Sequence, residues 1–173
     1  MSGGIPQIRP EHLREIGLFG GLDDVTLEVL GQHLPAVRVE IGDVVVREGE
    51  SSQEMFVVIG GELEVIKHGP GGGEVRVALI GPNDWFGEMT ILDVQPRSAT
   101  VRAVAPTLLL RMTAEHVETL LYRRDLKAYS IFLMNIAREL SRRLRVADKI
   151  IAQVVTSVHG LSSDPRARRP IAD

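Results

Sequence analysis

The stretch Glu54–Ile80, EMFVVIGGELEVIKHGPGGGEVRVALI, decides the fold. It holds three short runs rich in β-branched residues, EMFVVIG, ELEVIKH and EVRVALI, and within the second Glu62-Leu63-Glu64-Val65 alternates with period two, as half-buried antiparallel strands do. The connecting KHGPGGGE carries four glycines and a proline and reads as a hairpin loop. It lacks the Gly-Lys-Ser/Thr ending that a phosphate-cradling P-loop requires. Outward on both sides the texture continues, with AVRVEI and DVVVRE before it and SATVRAV and LLLRM after it. About eight short strands between Pro35 and Met112, at near-regular spacing, predict a barrel or jelly roll.

Helical patterns flank this region. RPEHLREIGLFGGLDDVTLEVLGQHL is broken by Gly20-Gly21 into a short helix and a second one capped by Asp23 or Asp24. Thr113 is placed to cap AEHVETLLYRR, and Asp125 to cap a long helix running to about His159 without internal Gly or Pro. On that helix Leu133, Ile136, Leu140, Leu144, Ala147, Ile151, Val154 and Val158 form a seam at spacings of three and four. A seam reaching beyond a small β domain needs a partner, most economically a second copy in a parallel homodimer, against a helix packed back on its own domain. GLSSDPRARRPIAD has no periodicity and reads as disordered. The expected organisation is a helical lead-in over 1–34, a β-roll over 35–112, helices over 113–159 and a disordered tail over 160–173.

Composition narrows the function. With 173 residues and 44% hydrophobic content the chain can bury one core, and a net charge of -3 provides no general basic field for nucleic acid. No cysteine means no disulfide and no thiolate chemistry, and no stretch reads as a signal peptide or membrane span, so the expectation is a soluble cytoplasmic protein. His12, His33, His68, His116 and His159 fall in no metal-ligand motif, and no G-x-S-x-G elbow marks a nucleophile. Neither a metal nor a catalytic role is expected. Arg138, Arg142, Arg143 and Arg145 alternate with acids and apolar residues, as a solvated helix face does, and fourteen residues after His159 leave no room for a helix-turn-helix.

One segment asks for a ligand. In DWFGEMTILDVQPRSATVRA, Asp84–Ala103, Gly87 allows a tight turn and Glu88-Met89-Thr90-Ile91-Leu92 can open a short helix with unsatisfied amides. Arg97, stiffened by Pro96, returns after a short loop with a guanidinium fork suited to two phosphate oxygens, and Ser98 adds a hydroxyl. Glu88 beside a phosphate would be repelled unless its carboxylate accepts from other donors, for which sugar hydroxyls are natural. Phosphate plus ribose describes a nucleotide. Spacing alone leaves this level with an Arg97–Glu88 ion pair stitching a loop to a strand. Trp85 and Phe86 read as apolar plugs for the core.

FGEMTILDVQPRSATVRA resembles the phosphate-binding cassette of cyclic nucleotide-binding domains, F-G-E, a short hydrophobic helix, then P-R-[AST]-A, with matches at Phe86, Gly87, Glu88, Pro96, Arg97, Ser98 and Ala99. GDVVVREGESSQEMFVVIGGELEVI, with Gly42, Gly49 and Gly61, is similar to the family's strand region, and LFGGLDDVTLEVLGQHL to its helical lead-in. The resemblance runs from about Leu18 to the end of the long helix and covers a cassette at 86–99. It implies an α+β fold: an antiparallel β-roll or jelly roll with N-terminal helices and a long C-terminal helix. It implies that Glu88 binds the ribose 2′-hydroxyl, that Arg97 binds the cyclic phosphate with Ser98 beside it, and that amides around Gly87 and Met89 assist. The long helix resembles the dimerising helix of the family's bacterial transcription activators. There a Thr-Ser pair contacts adenine; here the aligned residues are Ala147 and Asp148. An Asp can accept from the adenine amino group or from guanine, so cyclic AMP is favoured and cyclic GMP stays open.

The implied function is a cyclic-nucleotide sensor that performs no chemistry on its ligand, dimerises through its last helix and signals through helix movement to a protein partner. No direct contact with nucleic acid or membrane is expected. The alternative is an interaction protein on the same fold that binds no nucleotide.

Overall fold

The computed structural model describes residues 8–69 and 71–162. The lead-in is α1 (Pro10–Arg14), a 3-10 turn (Gly17–Phe19) and α2 (Asp24–His33). Asp23 caps α2 by accepting from the Thr26 N–H at 2.8 Å, and hydrogen bonding from the Thr26 side chain, then from its backbone, holds the Asp23 carboxyl below the usual carboxylate range. The lead-in buries Leu13, Ile16, Leu18, Phe19, Leu27 and Leu30 among its apolar residues.

The β region contains eight strands: β1 (Ala36–Val39), β2 (Val44–Val46), β3 (Glu54–Gly60), β4 (Leu63–His68), β5 (Glu74–Ile80), β6 (Trp85–Phe86), β7 (Thr100–Ala103) and β8 (Thr107–Thr113). They pair antiparallel in two four-stranded sheets, ordered β1-β8-β3-β6 and β2-β7-β4-β5. Val46, Leu63, Ile80, Val101 and Ala103 from one sheet meet Phe56, Val58, Phe86 and Leu109 from the other in a single buried cluster. The Phe56 and Phe86 rings stack at 5.3 Å, fixing β6 and the turn behind it against the core. The expected roll is therefore present, formed by two packed sheets.

Strand β5 departs from simple half-burial. Its Val75, Val77 and Leu79 are about half exposed, at 53%, 53% and 51%. β5 is the outermost strand of its sheet, with β4 on one side only. On this sheet the Glu64 carboxylate accepts from Arg102 at 2.8 Å and has Arg76 at 3.9 Å, while Arg102 also reaches Glu74 at 3.3 Å. This charge network spans β4, β5 and β7.

After β8, Thr113 caps α4 (Ala114–His116) in a reciprocal box: the His116 N–H donates to the Thr113 hydroxyl at 3.2 Å, and the Thr113 N–H donates to His116 Nδ1 at 3.1 Å. An ordinary helix was expected to follow, but Val117–Tyr122 forms a wider π turn, its Arg123 N–H reaching the Glu118 carbonyl at 2.9 Å. Asp125 then caps α5 (Leu126–Ser162) through the Lys127 N–H at 2.8 Å. Helix α5 is described as far as Ser162, past the expected end near His159, and the rest of the expected tail lies outside the described residues. Near the start of α5, buried Asn135 donates to the Leu18 carbonyl at 3.0 Å and to the Gly20 carbonyl at 2.9 Å. The lead-in turn is thereby tied to α5.

Two compact units result, 1–136 and 137–173. The described part of the second is the continuation of α5. There Glu139 accepts from Arg142 and Arg143 on its own helix, each at 2.8 Å, and Leu144, Ile151 and Val154 of the expected seam are exposed. Earlier in the seam Ile136 is fully buried and Leu140 half-buried.

Candidate functional site

The site is built around Gly87, which follows β6. Its φ of +85° is the left-handed conformation that favours glycine, and a Cβ there would run into Arg97 Nη1 and lie 2.8 Å from the Glu54 carbonyl oxygen. Conformation and space both demand glycine. The next residues turn into α3 (Met89–Leu92), and the Thr90 hydroxyl donates to the Gly87 carbonyl at 2.9 Å. Glu88, the residue before α3, is 2% exposed and Arg97 5%, so the cassette hides one acid and one base.

Arg97 is anchored by its backbone. Its N–H donates to the Glu50 carbonyl and its carbonyl accepts from the Gly49 N–H, both at 2.8 Å. These bonds tie the cassette to the loop between β2 and β3. At the other end, Nη2 donates to Ser52 Oγ at 3.0 Å and Nη1 to Thr90 Oγ1 at 3.3 Å, while buried Nε has no hydrogen-bond partner. The guanidinium hydrogen bonds thus go to two neutral hydroxyls. Burial pulls the guanidinium below its ordinary pKa, and the carboxylates of Glu54, Glu50 and Glu88 oppose that shift. It stays a cation, buried, with a donor to spare. Beside it opens a cleft of about 300 Å³ lined by Ser51, Ser52, Gln53, Val94, Gln95 and Pro96.

Of the residues singled out in the sequence, Phe86, Gly87, Glu88, Met89 and Arg97 are brought together here. Phe86 is in the core, and Met89 is 55% exposed on α3. Ser98 is exposed and Ala99 half-buried, leading into β7. Ala147 and Asp148 are exposed residues of α5 in the second unit. The sequence reading passed over Ser52 and Thr90 as partners of Arg97. Thr90 was within reach of local reasoning, since a hydroxyl three residues after the turn glycine falls back on that turn. Ser52 lies 45 residues from Arg97 and carries no local signal. Among the described residues no group of three or more His, Cys, Asp or Glu is placed to hold a metal ion, and no helix is long and apolar enough to cross a membrane.

Comparison with known proteins agrees with this geometry. The cyclic nucleotide-binding domain family model matches residues 36–124. The chain is 34% identical over 131 residues to the cyclic AMP receptor protein of Thermus thermophilus, covering 76% of this chain and 58% of that protein. It is 26% identical over 151 residues to a CRP-like cAMP-activated global transcriptional regulator of Mycobacterium tuberculosis, covering 87% and 65%. The chain therefore spans about three fifths of the length of these relatives. Among solved structures, the catabolite activator protein of Thermus thermophilus superposes with a TM-score of 0.71 at 30% identity, over 80% of this chain and 63% of that one. A cyclic nucleotide-binding domain from Methylobacillus flagellatus superposes with 0.75 at 25% identity, over 83% of each. With the family pattern matched over just over half of the chain, and with its two-sheet roll and glycine-turned cassette in place, this protein belongs to the cyclic nucleotide-binding domain family.

Proposed function

We propose that the protein is a regulatory module that binds a cyclic nucleotide, cyclic AMP in preference to cyclic GMP, and passes the signal to a protein partner through α5. The observation that carries this reading is Arg97: a buried cation whose Nε has no partner and whose hydrogen bonds go to neutral hydroxyls, next to a buried acid. A cyclic phosphate supplies the missing acceptor, in charge-assisted hydrogen bonds to the guanidinium. Glu88 takes the ribose 2′-hydroxyl, Ser98 assists at the phosphate, and backbone groups of Phe86, Gly87, Met89 and Ala99 shape the cassette. Ala147 and Asp148 select the base. Burial of both Glu88 and Arg97 disfavours the alternative of a solvated surface ion pair. The curated relatives are cyclic-AMP-responsive regulators by name, which supports the preference for adenine.

Signalling in this reading is a population shift: ligand favours one placement of α5, and the partner reads that placement. The exposed seam residues Leu144, Ile151 and Val154 support a homodimer formed through α5. Calorimetric titration of cyclic AMP and cyclic GMP into wild type and R97A tests the ligand. Micromolar binding of cyclic AMP, lost in R97A, is expected. No uptake of either nucleotide by wild type would refute it.

A further inference from the structure

We infer that Ser52 is a positioning residue for the phosphate group, an inference that rests on the role proposed for Arg97. A guanidinium captures two phosphate oxygens only when its plane is held, because its five N–H donors form a rigid fork. Here Ser52 and Thr90 hold the two ends of that fork, and the Ser52 contact, at 3.0 Å, is the shorter. Ser52 belongs to the same β2–β3 loop that binds the Arg97 backbone through Gly49 and Glu50. One loop thus binds both the main chain and one end of the guanidinium of Arg97, and within that loop the Ser52 hydroxyl is the group that reaches the fork.

The chemistry of position 52 follows from that geometry. A serine oxygen accepts from Nη2 without neutralising it, so the positive charge stays available to an anion; a carboxylate in its place would compete with the phosphate for the same N–H groups. The hydroxyl proton of Ser52 has no acceptor among the described residues. Ser52 also lines the cleft beside Arg97, where an oxygen of the ligand takes that proton. Ser52 then bridges the arginine and the phosphate.

Cyclic AMP titrations of S52A, S52T and S52D, combined with NMR of the arginine side-chain N–H signals recorded without nucleotide, test this. S52A should weaken binding about tenfold, the ordinary worth of a hydrogen bond to a charged group, S52T should stay within about threefold of wild type, and S52D should lose more than S52A. In an R97K background the S52A penalty should shrink, since the part that acts through the fork is gone and only the direct hydroxyl contact with the ligand is left to lose. The Arg97 Nε–H signal should move in S52A and return in S52T, with the melting temperature unchanged. Binding by S52A within about twofold of wild type, or a full S52A penalty in R97K, overturns the inference while leaving the proposed function standing. If wild type takes up no cyclic nucleotide, the proposed function fails and the NMR arm still decides: an Arg97 signal indifferent to S52A overturns the positioning role.

Discussion

Replacing Gly87 by alanine separates two demands that the fold makes at one residue. Gly87 and Gly42 have nearly the same backbone conformation, φ +85° and +89°, but a Cβ at Gly42 meets nothing within 4 Å, whereas one at Gly87 meets Arg97 Nη1, the Glu54 carbonyl and, at 3.3 Å, Met55 Cα. G42A therefore costs only the left-handed conformation, about 1–2 kcal/mol. G87A costs that plus overpacking against backbone, about 1–3 kcal/mol more, or about 2–5 kcal/mol altogether. Urea unfolding followed by far-ultraviolet circular dichroism gives both values, with slopes expected to match wild type. For a chain of this length each kcal/mol lowers the melting temperature by about 2–4 °C, so G87A should melt at least about 4 °C below wild type. Equal losses in G42A and G87A would refute the crowding argument. A stable G87A that kept wild-type nucleotide affinity would refute the claim that Gly87 makes room for Arg97.

Three further outcomes follow from the geometry. His116 accepts the Thr113 N–H, which a doubly protonated ring cannot do, and burial, helped by the Arg111 charge, holds its pKa below the ordinary value. The unfolded chain therefore takes up a proton near pH ~6.5, before the folded one does, so this contribution is complete above that pH and is lost as pH falls from there through the lower folded value. H116Q keeps the capping box without titrating, and urea midpoints at pH 7.5 and 5.5 should fall further for wild type than for H116Q. N135A strands the Leu18 and Gly20 carbonyls and should cost about 1–3 kcal/mol in the same assay; a loss below about 0.5 kcal/mol would show that Asn135 does not tie the turn to α5. L140D/I151D should sediment as a monomer while wild type sediments as a dimer, and a wild-type monomer would remove the dimer from the proposed function.

Local chemistry made much of this fold legible. The caps at Asp23 or Asp24, at Thr113 and at Asp125 were legible because a cap is decided within three residues, and Asp23 is the one that caps α2. Alternation in Glu62-Leu63-Glu64-Val65 announced β4 because the inward side of a packed sheet must be apolar. Pairing was not legible in the same way. Ala36 lies opposite Leu110, and Leu63 opposite Ala103, so the sheet order depends on contacts that no window of sequence contains. The half-exposed Val75, Val77 and Leu79 show the converse limit, since alternation identifies a strand but not what covers it. At the site, Gly87, Glu88 and Arg97 stood out through a local pattern, whereas Ser52 entered only once the chain had folded back.

The chain has a single tryptophan, Trp85, and it is buried in β6 immediately before the Phe86-Gly87-Glu88 turn, with its ring 3.6 Å from where a side chain on Gly17 would begin. Its two tyrosines, Tyr122 and Tyr129, meet edge to face at 5.2 Å where the π turn passes into α5. Ultraviolet emission excited at the red edge thus comes from one indole at the entrance to the cassette. Light absorbed by the tyrosine pair reports from the base of α5. The molecule carries native chromophores at the cassette and at the base of α5, so their emission can be followed through a titration without any dye.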